Sequence, residues 1–364
     1  VRFAIVGAGG ISRHHRTALL ATPDLSRLVA VCDAREDAAR AFAAGMPEPA
    51  AVYADHRALI AAGGFDAAIV ALPHHLHFPV ARDFVEAGIP VLVEKPLTCT
   101  LDETRELRRL SERHRVPVVA GQMRRFNREA VWLRRWLAGQ PDAFGDLRSF
   151  DIHSWQNILG YLRGPLGLPE GADHWLLDGA RAGGGVVISL AVHQLDLVRF
   201  VTGLDYAEVM AHGRFDPPFY NGAESSAVVL LRMTNGAAGA LHANYLTPRT
   251  PYNEAMHLFG AHGTVVQHAE AIGQYHGPLR FASDAGRPPA AWEEMYAGMA
   301  EVPEAEVADL AEDPFVNQLA AFARALWDGT TPANAVAENF NTMACIQAIH
   351  DSLRSGRPVA VAAA

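Results

Sequence analysis

The sequence predicts an α/β chain, with a doubly wound parallel sheet followed by an α+β domain whose open sheet is mainly antiparallel. Three observations carry this reading. Near the N-terminus, apolar runs of about five residues alternate with helix-forming stretches of ten or more, the spacing of βαβ units. A glycine cluster, Gly7-Ala8-Gly9-Gly10, separates the first apolar run from the first helical one. From residue 147 onward, strand-like segments succeed one another through short turns such as Thr234-Asn235-Gly236, which favours antiparallel pairing.

The elements follow in order. "RFAIVGAGG" reads as a buried strand entering a glycine turn, with "RHHRTALLAT" as the helix behind it. "RLVAVCD" is a second strand ending in an acid, and "EDAARAFAA" (36–44) is composed of helix formers. "FDAAIVALP" is a third strand, "FPVARDFVEAG" a helix closing on Gly88, and "PVLVEKP" a fourth strand. "LDETRELRRLSERH" is an amphipathic helix and "PVVAGQ" a fifth strand, so residues 1–122 form the first domain and 123–364 the second. In the second, "LRSFDIHSW", "EVMAHGRF", "SSAVVLLRM", "GAAGALHANYL", "AMHLFGAHG" and "TVVQHAE" are strand-like. Helices are expected at 184–202, 314–328 and 336–355, on one face of the sheet, with the last free to pack back on the first domain. The Pro/Ala/Glu-rich stretch 278–312 reads as a surface excursion.

Composition narrows the function. Of 364 residues, half are hydrophobic and a fifth charged, as in ordinary globular chains. A net charge of −9 speaks against nucleic acid as a partner, which wants a basic stripe. The local basic run Arg124, Arg125 and Arg128 reads as a solvated face. The three cysteines, Cys32, Cys99 and Cys345, are too widely spaced for a disulfide framework or a structural zinc site. His14-His15 and His74-His75-x-His77 lack the i, i+4 histidine pair with a carboxylate that a zinc protease needs, so no metal is expected. No uncharged apolar run is long enough to span a membrane, and the N-terminus is unlike a secretory signal, which makes the cytoplasm the expected compartment.

Gly7-Ala8-Gly9-Gly10-Ile11-Ser12 lies between a strand and a helix, the context in which a glycine pattern means a Rossmann dinucleotide turn. Gly7 permits the tight turn, Gly9 lets the backbone approach a pyrophosphate, and the helix N-terminus supplies N–H groups. Ser12 takes the third glycine position. Asp33 ends the second strand, where a carboxylate accepts the ribose hydroxyls of NAD and repels the 2′-phosphate of NADP. Arg35 complicates the choice, because a guanidinium there either stacks on adenine or contacts that phosphate. NAD is the favoured cofactor and NADP the alternative.

Two further stretches stand out. Glu94-Lys95-Pro96 ends the fourth strand at the carboxyl edge of the sheet, where ligands bind in such folds, and Pro96 holds Lys95 extended. "GGGVVISLAVHQLD" (183–196) runs from three glycines through apolar residues to His193 and Asp196. Taken alone, His193 reads as a core histidine.

Together, the glycine turn, Asp33, "LPHHLHFPVARDFVEAGIPVLVEKPL", "GGG…H..D" and the late "F.NQLAAFARALWDG" resemble the Gfo/Idh/MocA oxidoreductase family nearly end to end. The resemblance implies a Rossmann domain followed by an open α/β sheet domain, assembled as a homodimer or homotetramer through that sheet. It also implies hydride transfer between a nicotinamide cofactor and a carbinol carbon of a sugar or cyclitol. Residue by residue, Gly7, Gly9 and Ser12 (with Gly10 and Ile11 between them) match the dinucleotide turn, and Asp33 the ribose acid. Leu72, Pro73 and His77 match an element beside the nicotinamide ribose, with His74 where the family usually has Asn. Lys95, preceded by Glu94, matches the lysine that positions the substrate hydroxyl, and His193 the catalytic histidine. Arg125-Phe126 resembles a structural pair near the cleft. Ser189 stands where many members carry Asp, four residues before the histidine, so a hydrogen-bonding group remains but its charge is missing.

On this resemblance His193 acts as general base and Lys95 stabilises the developing alkoxide. Asp196, at i+3 from His193, either orients the imidazole or pairs elsewhere. Asn157, Tyr161, His174 and Trp175, before the glycines, are candidates for the substrate wall, since aromatics beside polar groups suit a sugar. Two other readings stay open: an NAD-assisted glycosidase or lyase using transient oxidation, which Ser189 keeps in play, and a non-catalytic NAD(P)-binding regulator.

Overall fold

The structure is a computed structural model and describes residues 1–249, 252–269, 277–284 and 298–363. Its first sheet has six strands: β1 (Arg2–Val6), β2 (Arg27–Cys32), β3 (Ala51–Tyr53), β4 (Ala67–Val70), β5 (Val91–Glu94) and β6 (Val118–Gly121). They lie in the order β3-β2-β1-β4-β5-β6 and every pairing is parallel. Strands β4, β5 and β6 are buried throughout, because helices cover both faces of the sheet. Those helices are α1 (Ser12–Ala21), α2 (Glu36–Ala43), α3 (His56–Ala62), α4 (His77–Glu86) and α5 (Leu101–His114). Thr100 opens α5 with a reciprocal capping box, its hydroxyl taking the Glu103 N–H while Glu103 returns to the Thr100 N–H. The pattern of the sequence does not reveal β3 and α3. A three-residue strand followed by seven residues with one fully buried side chain, Leu59, leaves almost no periodic signal.

Helices α6 (Arg128–Gly139) and α7 (Pro141–Phe144) lead to the long strand β7 (Leu147–Gln156). Short helices α8 (Ile158–Arg163) and α9 (Gly179–Ala182) precede α10 (Val192–Thr202). The second sheet then takes β8 (Tyr206–Arg214), β9 (Ser226–Met233), β10 (Ala238–Asn244), β11 (Tyr252–Gly260), β12 (Gly263–Ala269), β13 (Leu279–Ser283), β14 (Ala300–Glu301) and β15 (Val359–Ala360). The strand order is β14-β13-β12-β11-β7-β10-β9-β8-β15, with β7–β10 its one parallel pairing among the described residues. Strand β9 alternates buried and exposed residues, so Ala227, Val229 and Leu231 face the core while Val228 and Leu230 face outward. The expected excursion at 278–312 is corrected in part, because β13 and β14 extend the sheet. Its residues 285–297 lie outside the described ones.

Two late helices tie the sheets together. Helix α11 (Pro314–Asp328) returns to the first sheet, placing Phe315, Leu319 and Phe322 in one cluster with Phe3, Ile5 and Leu28. Helix α12 (Val336–Ser355) packs against β8 and also against α5. Gly179–Thr202 is long and apolar enough to cross a membrane, but 89% of that apolar window is buried inside the protein, as befits a core helix.

The basic run at 124–128 is not a solvated face. Arg124 and Arg125 are 5% and 4% exposed. Arg125 grips Asp196 with two parallel bonds, Nε to Oδ2 at 2.5 Å and Nη2 to Oδ1 at 2.7 Å. Asn339 and Thr342 of α12 donate to the same carboxylate. Asp196 therefore pairs away from His193 and locks α10 to the turn bearing Arg125 and to α12. Asp196→Ala is expected to lower unfolding free energy by about 3–5 kcal/mol, since it leaves the buried Arg125 guanidinium with only the more exposed Glu338 as a carboxylate partner; urea denaturation followed by circular dichroism measures it.

Candidate active site

The glycine turn fits a dinucleotide on its own geometry. Gly7 has φ +103°, and a Cβ there would sit 2.1 Å from the Ala71 carbonyl oxygen, so only glycine permits the approach. At Gly9 a Cβ would meet nothing within 4 Å, which leaves the turn's outer side open to a phosphate. No side chain caps α1 and no acid lies in its first turn, so no carboxylate competes for its positive end, while the Arg13 and His14 N–H groups bond the Gly10 and Ile11 carbonyls. The Ser12 hydroxyl donates to the Gly7 carbonyl at 2.5 Å and braces the turn from within. Asp33 accepts from the Ala8 N–H through Oδ2 and from the Arg35 N–H through Oδ1, which sets its carboxylate beside the turn. The Arg35 guanidinium is exposed, with Nε 3.5 Å from Asp33.

At the end of β5, Glu94 faces inward and bonds His15 of α1 at 2.8 Å. His77 has Nδ1 2.7 Å from the Pro96 carbonyl and Nε2 2.8 Å from that of Leu72. Held neutral by burial, the imidazole has one N–H, which it donates to one of these two carbonyls while the ring sits between the Leu72–His74 loop and the segment after Lys95. His74 is buried with Nδ1 2.8 Å from the Ala182 carbonyl, and its ring meets Trp175 edge-on at 4.4 Å. In this structure Glu94, His74 and His77 brace the cofactor face, with the polar atoms named here turned to protein partners.

Lys95, like His74, reaches across to the helical segment that leads into α10. Its Nζ donates to the Ser189 carbonyl at 2.6 Å. Burial pushes its pKa down to about 8, against the pull of Glu94 and Glu254 and with the help of Arg124. Ser189 lies in a widened π-helical turn, Val187–Ala191, that runs directly into α10. One turn further, His193 is buried and its Nδ1 has no protein partner among the described residues. Burial, then the charges of Lys95 and Arg124, hold its pKa well below the usual imidazole value, so it stays neutral. The helix thus brings Lys95, Ser189 and His193 together.

Under them lies a charged cluster that no motif in the sequence marks. Arg124 pairs with Glu254 of β11, Tyr252 bonds both, and the Ser154 hydroxyl donates to Glu254 at 3.1 Å. Glu254 is 1% exposed. Tyr245 is also buried, and its phenol faces Ser189. Glu254 shares its strand with the polar Asn253 and His257, so nothing in the sequence singles it out, and its partner lies far along the chain.

Of the expected substrate wall, Trp175 stands against His74, while Asn157 caps α8 through the Gly160 N–H. His174 accepts the Leu176 N–H at 3.3 Å, and Tyr161 packs half-buried against the second sheet's core.

Comparison with known proteins agrees with this architecture. Residues 1–122 match the family model described as "Oxidoreductase family, NAD-binding Rossmann fold", and residues 133–266 match "GFO/IDH/MocA C-terminal domain". Inositol 2-dehydrogenase 1 of Saccharopolyspora erythraea is 33% identical over 214 residues, 58% of this chain and 57% of that protein. The chain thus spans little more than half the length of this relative. D-xylose 1-dehydrogenase (NADP(+)) 2 of Haloferax volcanii is 27% identical across 98% of both chains. Among solved structures, an oxidoreductase domain protein from Kribbella flavida superposes with a TM-score of 0.86 at 21% identity, covering 99% of both chains. Levoglucosan dehydrogenase in complex with NADH gives 0.85 at 20% identity over 100% of each. With a dinucleotide turn at one sheet and both family models covering most of its length, this chain belongs to the Gfo/Idh/MocA family of NAD-binding oxidoreductases.

Proposed function

We propose that the chain is a dehydrogenase that transfers a hydride between NAD and a carbinol carbon of a sugar, sugar derivative or cyclitol. One observation carries the reading. Lys95, at the carboxyl edge of the dinucleotide sheet, is hydrogen-bonded to the helix that presents His193 from the other sheet. A cation and a neutral imidazole then meet where a hydroxyl can lie between them. The named relatives support the substrate class, since they include an inositol 2-dehydrogenase and a D-xylose 1-dehydrogenase.

The open side of Gly9, the uncapped N-terminus of α1 and Asp33 would hold the cofactor. Bound there, the nicotinamide supplies the hydride acceptor. His193, neutral and with a free ring nitrogen, takes the hydroxyl proton. Lys95 holds the oxygen as its negative charge develops, and its ammonium keeps His193 from binding a proton too early. Arg124 adds to that effect from behind. Ser189 contributes a hydroxyl without charge, so no carboxylate at that position assists the base. On this reading the enzyme is cytoplasmic and assembled as a homodimer or homotetramer through the second sheet. The exposed side chains of Val228, Leu230 and Phe259 support such an assembly.

Four outcomes test the reading. With NAD and a panel of polyols, His193→Ala is expected to lose about 10²- to 10⁴-fold in kcat, followed by NADH absorbance; full activity would remove His193 as base. If a glycoside turns over with no net NADH, the transient-oxidation reading replaces this one. The pH profile of kcat/KM for polyol oxidation is expected to have no acid limb until well below pH 6.5, because His193 is held neutral. It should fall as pH rises through about 8, where Lys95 loses its charge. Asp33→Ala should lower the NAD-over-NADP ratio of kcat/KM, and an unchanged ratio in paired assays would take Asp33 out of cofactor selection.

A further inference from the structure

The helix bearing Ser189 and His193 begins in an unusual way. Gly183 and Gly184 have φ of +83° and +146°, which side-chain-bearing residues rarely adopt. At Gly185 a Cβ would lie 1.9 Å from the carbonyl oxygen of Glu224, so the two backbones touch. Three successive N–H groups then end on this one residue. Gly185 N–H donates to Glu224 Oε2 at 2.8 Å, Val186 N–H to the Glu224 main-chain oxygen at 3.0 Å, and Val187 N–H to Oε1 at 2.8 Å. Glu224 is fully buried, and Nε2 of His350 lies 3.7 Å from Oε2. Burial raises its pKa, but the neighbouring imidazole and the backbone amides outweigh that, leaving the carboxyl below its usual value and ionised.

A helix cannot satisfy its own first N–H groups, and an anion there is favoured by the helix dipole. A buried carboxylate that gives one oxygen to each of two amides is a fixed clamp rather than a surface cap. What it clamps is consequential. Two residues beyond Val187 is the Ser189 carbonyl that receives Lys95, and four further is His193. Both sit on one rigid segment whose starting point Glu224 defines.

We infer that Glu224 is a positioning residue of the active site, its carboxylate fixing the helix start so that the Ser189 carbonyl and the His193 imidazole meet Lys95. Glu224 bonds the helix start and acts through it, with no contact to the reacting atoms required. The inference rests on the proposed dehydrogenase reading for its meaning, although the geometry it describes stands without turnover.

The test uses the full-length protein in two variants. Glu224→Gln keeps the shape but presents an NH2 group to one of the two amides, and Glu224→Asp keeps the charge on a shorter arm. Glu224→Gln is expected to lower kcat by about 10- to 100-fold, the scale of a misplacement near 1 Å, with the KM for NAD unchanged. Glu224→Asp should lie between it and the parent. Hydrogen exchange of residues 183–190, followed by mass spectrometry, should quicken in both. A readout independent of turnover is the pH dependence of Lys95 acylation by acetic anhydride. Its midpoint should lie near 8 in the parent and rise in the variants, because burial is what depresses it. If a folded variant keeps parental exchange over 183–190 and the parental Lys95 midpoint, the inference is overturned. If Glu224→Gln does not fold, the same two measurements on Glu224→Asp decide the matter. Should no polyol be oxidised by the parent while exchange and midpoint both move, the dehydrogenase reading falls and the positioning role stands.

Discussion

A single ammonium–carbonyl contact, Lys95 Nζ on Ser189 at 2.6 Å, is where the two halves of this molecule agree on a geometry. Each partner is placed by its own architecture. Lys95 stands at the end of a fully buried parallel strand, where the backbone has no freedom to wander. Ser189 sits in a widened helical turn whose origin is pinned by three N–H groups on Glu224. The burial that accompanies this contact also lowers the pKa values of Lys95 and His193, which a solvated pair would hold near their ordinary values.

Around that contact the protein holds an unusual amount of buried charge. Arg125 with Asp196, and Arg124 with Glu254, form two ion pairs side by side beneath α10. Neither is a strong source of stability against an apolar core of the same volume. What they provide is a fixed electrostatic floor. One arginine locks the helix to α12 through Asp196, while its neighbour helps set the proton affinity of the groups above. Adjacent residues of one short 3₁₀ turn thus do structural and electrostatic work.

Much of the framework was legible because its signals are local. Helices α11 and α12 lie on the expected bounds, marked by Asp313 and Pro314 at one start and by left-handed Gly329 and Gly356 at the ends. The strands entering the glycine turn and Glu94-Lys95-Pro96 were equally plain, as were the strands around Thr234-Asn235-Gly236. The parallel pairing of β7 with β10 was not, since long-range register leaves no mark on either strand. Nor was the burial of Arg124 and Arg125, because an arginine next to Met123 looks the same whether its carboxylate waits inside or water does outside. At the site itself, residue types pointed to the cofactor edge, but the engagement of His77 and Glu94 with internal partners depends on contacts no spacing rule encodes.

The return of α11 to the first sheet has a consequence for how the chain is made. Phe315, Leu319 and Phe322 complete the apolar cluster around Phe3, Ile5 and Leu28. A ribosome therefore delivers the dinucleotide sheet long before the helix that seals one of its faces. Until residue 328 has emerged, the part of that face left uncovered by α1 and α2 is open to water and to other nascent chains, a condition in which partly folded domains aggregate. The apolar cover of the dinucleotide sheet, though its strands are synthesised early, is thus completed only once α11 has been translated.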